Sequence, residues 1–289
     1  MTAALAAGAE SPQCGGFGPA FLAAVNSERS AAQVPPLTLS PELCRAAQAR
    51  AEEIGAAGSL NRGAISGQKL IDRVARYGYR ASALSQPVVQ APGDPAAVVA
   101  EWRRMSASAF KDVRNPRYRD FGVGAAWLDG VPVYVLLLGL SGAEEFAGRT
   151  RSLRDPERVR ADLLAAVNRE RKARKLPPLR SDPRLGAAAQ RHAEDMLARG
   201  YHGHRGTDGT LAMQRARREG YDARGVGENI AKGQGSVEEV MKGWMRSREH
   251  RKNILEPSFV DAGFGLAVGK PSEGDEVLWV QVFGRPQGS

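Results

Sequence analysis

Side chains that could bind a metal are concentrated in the second half of the chain. All four histidines of the 289 residues are there: His192, His202, His204 and His250. Imidazole titrates near neutral pH and is the commonest protein ligand of transition metals. A carboxylate, Glu228, lies in a Gly-Glu-Asn sequence between the third and fourth histidines. We therefore expect a metal or ligand site in this half of the chain.

His204, His250 and Glu228 form the simplest candidate set. Two neutral imidazoles and one carboxylate suit zinc and leave at least one coordination position open for water or a ligand. The carboxylate has three roles open to it: to bind the metal, to hold a metal-bound water, or to accept a hydrogen bond from a histidine N–H. The sequence does not separate these roles. An open position permits hydrolysis with Glu228 as catalytic general base, but does not require it.

Other catalytic motifs do not occur in the sequence. It has no Gly-x-Ser-x-Gly nucleophile elbow, no His-Glu-x-x-His helix and no Gly-x-x-x-x-Gly-Lys phosphate loop. Gly263-x-Gly265 precedes a predicted strand rather than a helix, which argues against a dinucleotide fingerprint. A triad of Ser247, His250 and Glu228 is disfavoured, because two residues on one helical turn do not give a serine the strained turn of a nucleophile.

The chain is a tandem duplication. With an offset of 142 residues, Leu22–Tyr79 aligns with Leu164–Tyr221 without a gap, and 25 of those 58 positions are identical. Trp102 keeps this offset with Trp244, and beyond them it slips to 141. Each unit is about 120 residues long, too long for a solenoid repeat, and is predicted to be a domain. We divide the chain into a tail (1–17), a first domain (18–140), a linker (141–155) and a second domain (156–289).

Helix and strand signals place the candidate residues. Ser40-Pro41 and Asp182-Pro183 each put a capping side chain before a proline at the first helical position, and Ser236-x-x-Glu239 is a capping box. Residues 121–138 and 263–283 predict a pair of antiparallel strands at the end of each unit, and a further strand is predicted near 225–232. This order of elements predicts an α+β fold with helices packed on a small sheet.

Four stretches of the second unit resemble the CAP superfamily, which includes cysteine-rich secretory proteins, venom allergens, plant pathogenesis-related proteins and bacterial secreted proteins. They are Tyr201-His202-Gly203-His204, Gly227-Glu228-Asn229-Ile230-Ala231, Trp244-Met245-x-Ser247-x-x-His250-Arg251-x-Asn253-Ile254-Leu255 and Gly263-Phe264-Gly265. The resemblance spans residues 158–285. The first unit resembles the family only through its match to the second and looks like a degenerate copy. The resemblance implies two tandem α-β-α sandwich domains with a central cleft.

The resemblance also implies a site in this cleft. Family members hold two histidines and two acidic residues there, and the histidines can bind a divalent metal such as Zn²⁺. His204, Glu228 and His250 match three of these residues. Ser247 stands in place of the second acid, unless Glu249 supplies that carboxylate. Neighbouring motif residues extend the expected ligand cleft: His202, Asn229 and Asn253.

The first unit has lost this set. It contains no histidine, and its matching positions hold Arg62, Gln86, Met105 and Ser108. We therefore expect no metal there and interpret the first unit as a scaffold or partner surface.

Composition and charge narrow the class of protein and its partners. Hydrophobic residues at 42% and charged residues at 25% fit a globular chain, and the longest apolar run, 131–140, is about half of what a membrane helix needs. The net charge of +9, of which +7 falls after residue 150, favours an anionic lipid, peptide or cell-envelope polymer. We expect no nucleic-acid partner, because the sequence has no zinc-finger, homeodomain or RNA-binding signature.

The cysteines and the N-terminus bear on location. Cys14 and Cys44 form a disulfide or Cys44 is a buried thiol, and both interpretations stay open. Ala7-Gly8-Ala9 resembles a signal-peptidase site, although the segment has no basic region and no full apolar core. A secreted or cell-envelope location is expected mainly from the family resemblance.

Two functional hypotheses follow. The first is an exported binding protein whose His204/His250 cleft holds a divalent metal and docks a lipid, peptide or envelope ligand. The second is a metal-dependent, protease-like hydrolase that acts through the same cleft.

Overall fold

The structure, a computed structural model, describes residues 14–60, 67–105, 110–269 and 276–287. The chain forms two compact units, Met1–Glu145 and Phe146–Ser289. The helices and strands of the first unit are α1 (Gly18–Ala31), β1 (Thr38–Leu39), α2 (Pro41–Ala57), α3 (Gln68–Ala75), β2 (Ala81–Ser85), β3 (Val88–Gln90), α4 (Pro95–Met105), β4 (Asp120–Leu128) and β5 (Val131–Ser141).

The second unit has a similar order of elements, with one long strand in place of β2 and β3 and two helices in place of α4. Helix α5 (Gly142–Arg149) and a 3₁₀ turn (Arg151–Leu153) precede it. Its elements are α6 (Pro156–Lys172), β6 (Arg180–Ser181), α7 (Pro183–Arg199), α8 (Ala212–Arg218), β7 (Ala223–Lys232), α9 (Val237–Arg246), α10 (Arg248–Ile254), β8 (Asp261–Gly269) and β9 (Glu276–Pro286). The α+β class predicted from the sequence is confirmed, and so are the terminal strand pairs and the strand near 225–232.

Each unit contains one mixed sheet. The strand order is β1-β4-β5-β2 in the first unit, with β3 also paired to β5, and β6-β8-β9-β7 in the second. The short strands β1 and β6 run parallel to β4 and β8, and the other pairings are antiparallel. Strand β7 pairs with β9 along nearly its whole length, with Glu228 opposite Val282. This pairing fixes the strand that carries the candidate acid.

Helices cover both faces of each sheet. In the second unit, alternate residues of β9 point to opposite faces: Val277 and Trp279 pack with α6 and α9, whereas Leu278 and Val280 pack with α7. The first unit divides β5 in the same way, between α1 and α4 on one face and α2 and α3 on the other. The alternation is the period-2 pattern of a strand buried on both faces. Each domain is therefore a three-layer α-β-α sandwich.

Two glycines of β8 let α7 approach the sheet closely. A Cβ added at Gly263 would lie 2.1 Å from the backbone of Leu185, and one at Gly265 would lie 2.3 Å from the backbone of Ala189. Only glycine leaves room for this contact. The Gly-x-Gly pattern is thus a packing feature of helix on sheet. Gly122 and Gly124 play the same role under α2.

The predicted helix caps are present. Ser40 Oγ accepts a hydrogen bond from Leu43 N (3.2 Å), Asp182 Oδ1 from Arg184 N (2.9 Å), and Ser236 Oγ from Glu239 N (3.2 Å). The carboxylate of Glu239 accepts from Gly235 N at 2.8 Å rather than from the cap residue itself. These bonds satisfy N–H groups that have no partner inside the helix.

The structure also shows the pairing of the cysteines and the helices in the interdomain segment. Cys14 and Cys44 form a disulfide that ties the start of the described chain to α2. The segment predicted as a linker contains α5 and the 3₁₀ turn, and its Phe146 and Leu153 pack against the core of the second unit. Within the described ranges, no helix has the length and apolar character needed to cross a membrane.

Candidate functional site

Glu228 is the centre of the candidate site. It lies on β7 with its side chain only 4% exposed. Its Oε1 accepts a hydrogen bond from His204 Nδ1 at 2.8 Å, and its Oε2 accepts one from Arg215 Nη2 at 2.6 Å. A buried carboxylate needs such partners to stay ionised. Both oxygens of Glu228 are therefore already engaged within the protein.

Arg215, on the short helix α8, holds the site together. Its side chain is 10% exposed. Besides Glu228, its guanidinium donates to the backbone carbonyls of Thr210 (2.7 Å) and His204 (3.1 Å). Arg215 thus clamps the loop that carries His204 onto strand β7. Sequence reasoning did not single out this residue, although it is one of the 25 identities of the repeat and aligns with Arg73.

The hydrogen bond to Glu228 fixes the tautomer of His204. A carboxylate only accepts, so Nδ1 carries the proton and Nε2 carries the lone pair in the neutral ring. The bond to Glu228 raises the pKa of His204, against the opposing effect of partial burial. The ring is 53% exposed. His204 therefore has a half-exposed ring whose coordinating lone pair is on Nε2.

His250 and Ser247 lie at the start of helix α10. Ser247 is the N-cap residue, and its Oγ accepts from His250 N at 3.5 Å. The residue at the expected second-acid position thus begins a helix instead of supplying a ligand. Glu249, the other candidate for this acid, is exposed next to His250 and raises its pKa slightly against stronger opposing effects.

Two asparagines fasten α10 to β7. Asn229 Nδ2 donates to the carbonyl of His250 at 3.0 Å. Asn253 Nδ2 donates to the carbonyl of Glu228 at 3.0 Å and to Asn229 Oδ1 at 2.9 Å. These bonds set the position of His250 relative to the strand of Glu228. Both amide groups are engaged with the protein, so they position the site.

Three imidazole rings influence one another across the site. Burial lowers the pKa of His250, and the positive charges of His204 and His202 lower it further. Burial also lowers the pKa of His202, with added repulsion from Lys232 and His204. Charge repulsion among His202, His204 and His250 thus adds to the effect of burial on these pKa values. That His204 and His250 share one ligand site stays a prediction.

His192 supports the site from inside the fold. It lies on α7 and is fully buried, and its Nε2 is 2.9 Å from the carbonyl oxygen of Gly203 and 4.0 Å from Glu228 Oε1. Burial lowers its pKa. A neutral ring that donates to Gly203 orders the loop just before His204. His192 is thus a packed residue that orders the loop rather than an accessible ligand.

The metal-ligand geometry is incomplete. Among the described residues, which include all four histidines, no three His, Cys, Asp or Glu side chains are placed to hold one metal ion. Glu228 is directed to His204 and Arg215 rather than to a shared metal position. The candidate metal ligands are thus the imidazoles of His204 and His250, and Glu228 contacts His204 through Nδ1.

A family model decides the relationship of the chain to known proteins. The model described as "CAP: Cysteine-rich secretory protein family" matches residues 22–135 and again residues 164–283. The chain belongs to the CAP family. It contains two copies of the domain, as the internal repeat predicted.

Individual relatives match parts of this CAP chain. The uncharacterized protein YkwD of Bacillus subtilis (strain 168) is 38% identical over 121 residues, which is 42% of this chain and 45% of the relative. The match therefore spans less than half of that relative.

Among solved structures, an extracellular SCP-domain protein from Bacillus anthracis str. Ames is 22% identical, with a TM-score of 0.40 and 56% of each chain covered. An outer surface protein from Borrelia burgdorferi is 21% identical, with a TM-score of 0.39, covering 44% of this chain and 92% of that one.

The first CAP domain has a different set of residues at the corresponding place. Gln86 stands where the second domain has Glu228, and its Oε1 is buried with no hydrogen-bond partner among the described residues. Met105 is an exposed residue at the end of α4. Arg62 and Ser108 lie outside the described residues. The described part of this domain thus retains the fold and lacks the acid that organises the site.

Proposed function

We propose that this CAP protein is an exported ligand-binding protein whose second domain carries the binding cleft and whose first domain is a scaffold. The observation that carries the proposal is the contact of Glu228 with His204 and Arg215 at 2.8 and 2.6 Å. This contact holds the half-exposed ring of His204 with its lone pair on Nε2. Such a surface suits binding through histidine nitrogens.

The cleft residues fit a weak divalent metal site. His204 Nε2 and a ring nitrogen of His250 would hold the ion, and Glu228 would orient His204 from behind, as carboxylates do for metal-bound histidines. Of the three roles open to Glu228 in the sequence, this contact supports the last. Bound zinc would supply a Lewis acid with positions left for water or a ligand. Two imidazoles are fewer ligands than the three or four of a dedicated zinc site.

The hydrolase alternative has less support. A general base must accept a proton from water, but each oxygen of Glu228 already accepts a hydrogen bond, one from His204 and the other from Arg215. Among the described residues, no three His, Cys, Asp or Glu side chains are placed to hold the metal ion that such a mechanism needs. Chelator-sensitive hydrolysis that is abolished in Glu228→Gln would overturn this preference for binding.

The cellular location and ligand class rest on separate observations. The Cys14–Cys44 disulfide is typical of an oxidising compartment, and one structural relative is described as extracellular. The net charge of +9 favours an anionic lipid, peptide or envelope polymer as the ligand. We therefore place the protein outside the cytoplasm, as a secreted or cell-envelope component.

The double variant His204→Ala/His250→Ala tests the metal part of the proposal. Because it removes both free imidazoles, zinc affinity should fall by more than the roughly 10- to 100-fold that loss of a supporting residue costs. Calorimetric titration of the full chain with zinc measures this change. Gln86→Ala, at the aligned position of the first domain, is the control and should bind zinc like the wild type. Unchanged zinc binding in the double variant would refute the site.

A further inference from the structure

A second polar pocket lies in the same domain, between α7, α8 and the loop that joins them. Its volume is about 300 Å³, and four arginines line it: Arg191, Arg199, Arg215 and Arg218. That volume is at the lower end of the range for small-molecule sites. Neither His204 nor His250 lines the pocket. It is therefore distinct from the candidate metal cleft, although Arg215 contributes to both.

The carboxylates of this pocket are already occupied by protein donors. Asp195 accepts from Tyr201 Oη at 2.5 Å and from Arg199 Nε at 2.7 Å. Asp208 accepts from the backbone N and the hydroxyl of Thr210, at 3.0 and 2.6 Å, and from Arg218. These bonds use the lone pairs that would otherwise attract a cation or a hydroxyl group.

The guanidinium groups, in contrast, have donors to spare. Within the described residues, Arg199 uses only its Nε, and Arg218 uses only Nη1. Arg191 pairs with Glu219 through Nη1 at 2.7 Å. In that pair the arginine side chain is 72% exposed and the glutamate 13%. Arg199 and Arg218 are also about 60% exposed, whereas Asp195 is 28% and Asp208 50% exposed. In each pair the arginine is thus the more accessible partner.

A pocket with many free N–H donors and few free acceptors selects an acceptor-rich anion. Guanidinium groups bind the oxygens of phosphate and carboxylate through paired, charge-assisted hydrogen bonds. A phosphate group offers more acceptor oxygens than a carboxylate, and three accessible arginines can share them. We propose that the α7–α8 pocket binds a phosphate group, either as free phosphate or as part of a lipid headgroup.

The first domain provides an internal comparison for this site. Arg191 and Arg199 align with Ala49 and Ala57, so two of the accessible arginines have no counterpart there. The phosphate site is thus expected only in the second domain, with one site per chain.

Calorimetric titration of the full chain with inorganic phosphate, at constant ionic strength and with EDTA present, tests the proposal. Arg199→Gln/Arg218→Gln should weaken binding by at least about tenfold, because it removes two of the accessible guanidinium groups. Arg158→Gln/Arg174→Gln is the matched control: both arginines are surface residues in (i, i+4) ion pairs at α6, and the net charge changes equally. The control should bind phosphate within about twofold of the wild type, since only long-range charge is lost.

Sedimentation with vesicles of phosphatidylcholine containing phosphatidylglycerol identifies the source of the phosphate. Binding that the pocket variant loses and the control keeps assigns the lipid headgroup, whereas phosphate binding without vesicle binding assigns free phosphate. Equal weakening by the two double variants would mean non-specific charge attraction and would overturn the proposal. No phosphate binding at millimolar concentration would overturn it too. EDTA keeps either result independent of the proposed metal site.

Discussion

An arginine at the same aligned position has different partners in the two CAP domains. In the second domain Arg215 binds Glu228 on the sheet, which in turn binds His204. In the first domain Arg73 donates instead to Glu53 on α2 at 2.6 Å. Glu53 also accepts from Arg50, which occupies the position of His192. The aligned arginine therefore pairs with an acid on the sheet in the second domain and with an acid on a helix in the first.

This difference shows what the candidate site depends on. In the first domain Gln86, between β2 and β3, takes the place of Glu228. Arg73 binds Glu53 instead, and this bond lowers the pKa of Glu53. A histidine in the first domain's loop would then have no anion on the strand to fix its tautomer. Glu228, together with Arg215, is therefore as necessary to the site as the histidines. We therefore assign the proposed binding function to the domain that has Glu228 and not to the domain that has Gln86.

The largest expected effect concerns a feature that the two domains share. Arg29 and Arg171 are fully buried, and each donates to the same four carbonyls of its domain: Pro35, Val113, Asn115 and Tyr118 for the first, and Pro177, Ile254, Glu256 and Phe259 for the second. Arg29→Met and Arg171→Met would each remove four hydrogen bonds, two of them buried and two partly buried. We expect each to destabilise its own domain by about 3 to 5 kcal/mol.

Hydrogen exchange followed by mass spectrometry measures this loss for each domain separately. Arg174→Met, at an exposed position near Arg171, is the control and should change stability by less than about 0.5 kcal/mol. A much smaller effect for Arg29→Met than for Arg171→Met would mean that the first domain no longer relies on the shared anchor.

The disulfide distinguishes the domains and gives the next effect. The disulfide in the first domain joins Cys14 to Cys44, which are 30 residues apart in the sequence. The second domain has no cysteine. Cys14→Ala/Cys44→Ala should cost the first domain about 3 to 4 kcal/mol, because the unfolded chain loses its cross-link. Hydrogen exchange in the second domain should not change. Loss of protection in both domains would show that the two unfold together.

Much of the fold could be predicted because its signals are local or repeated. Ser40-Pro41 and Asp182-Pro183 begin helices by their own side-chain bonds, so neighbouring residues suffice to identify them. The last strand of each unit follows from a nearly continuous apolar run, which is typical of a strand buried on both faces. Gly263 and Gly265 could be placed on a strand, but their contact with α7 depends on packing between distant segments.

The candidate site could be predicted only in part. The repeat and the family resemblance single out His204, Glu228 and His250, and the structure shows a direct contact between the first two. The importance of Arg215 depends on burial of its charge and on a contact with a different strand, which no local pattern encodes. The role of Ser247, in contrast, could be predicted from the local sequence. Serine is a common N-cap residue at the start of a helix, and Ser247 has that role here.

The smallest effect tests the comparison most directly, by making the second domain resemble the first. Glu228→Gln keeps the side-chain shape and removes the charge that faces Arg215. We expect a loss of about 2 kcal/mol, the usual value for hydrogen bonds to a charged group. The pKa of His204 should fall, because the bond to Glu228 is the main reason that it is raised. Nuclear magnetic resonance titration of the histidine rings measures this shift.

The sign of the pH dependence follows from that shift. A histidine whose pKa is raised by folding stabilises the fold below its unfolded value of 6.5 and loses this contribution as the pH rises through its folded value. Wild type has this gain and Glu228→Gln lacks it, so the stability deficit of the variant should grow as the pH falls from about 8 to about 6. Glu238→Gln, on the exposed face of α9, should show no such trend. A deficit that is constant with pH, with the titration of His204 unchanged, would mean that Glu228 supports only Arg215 and the fold.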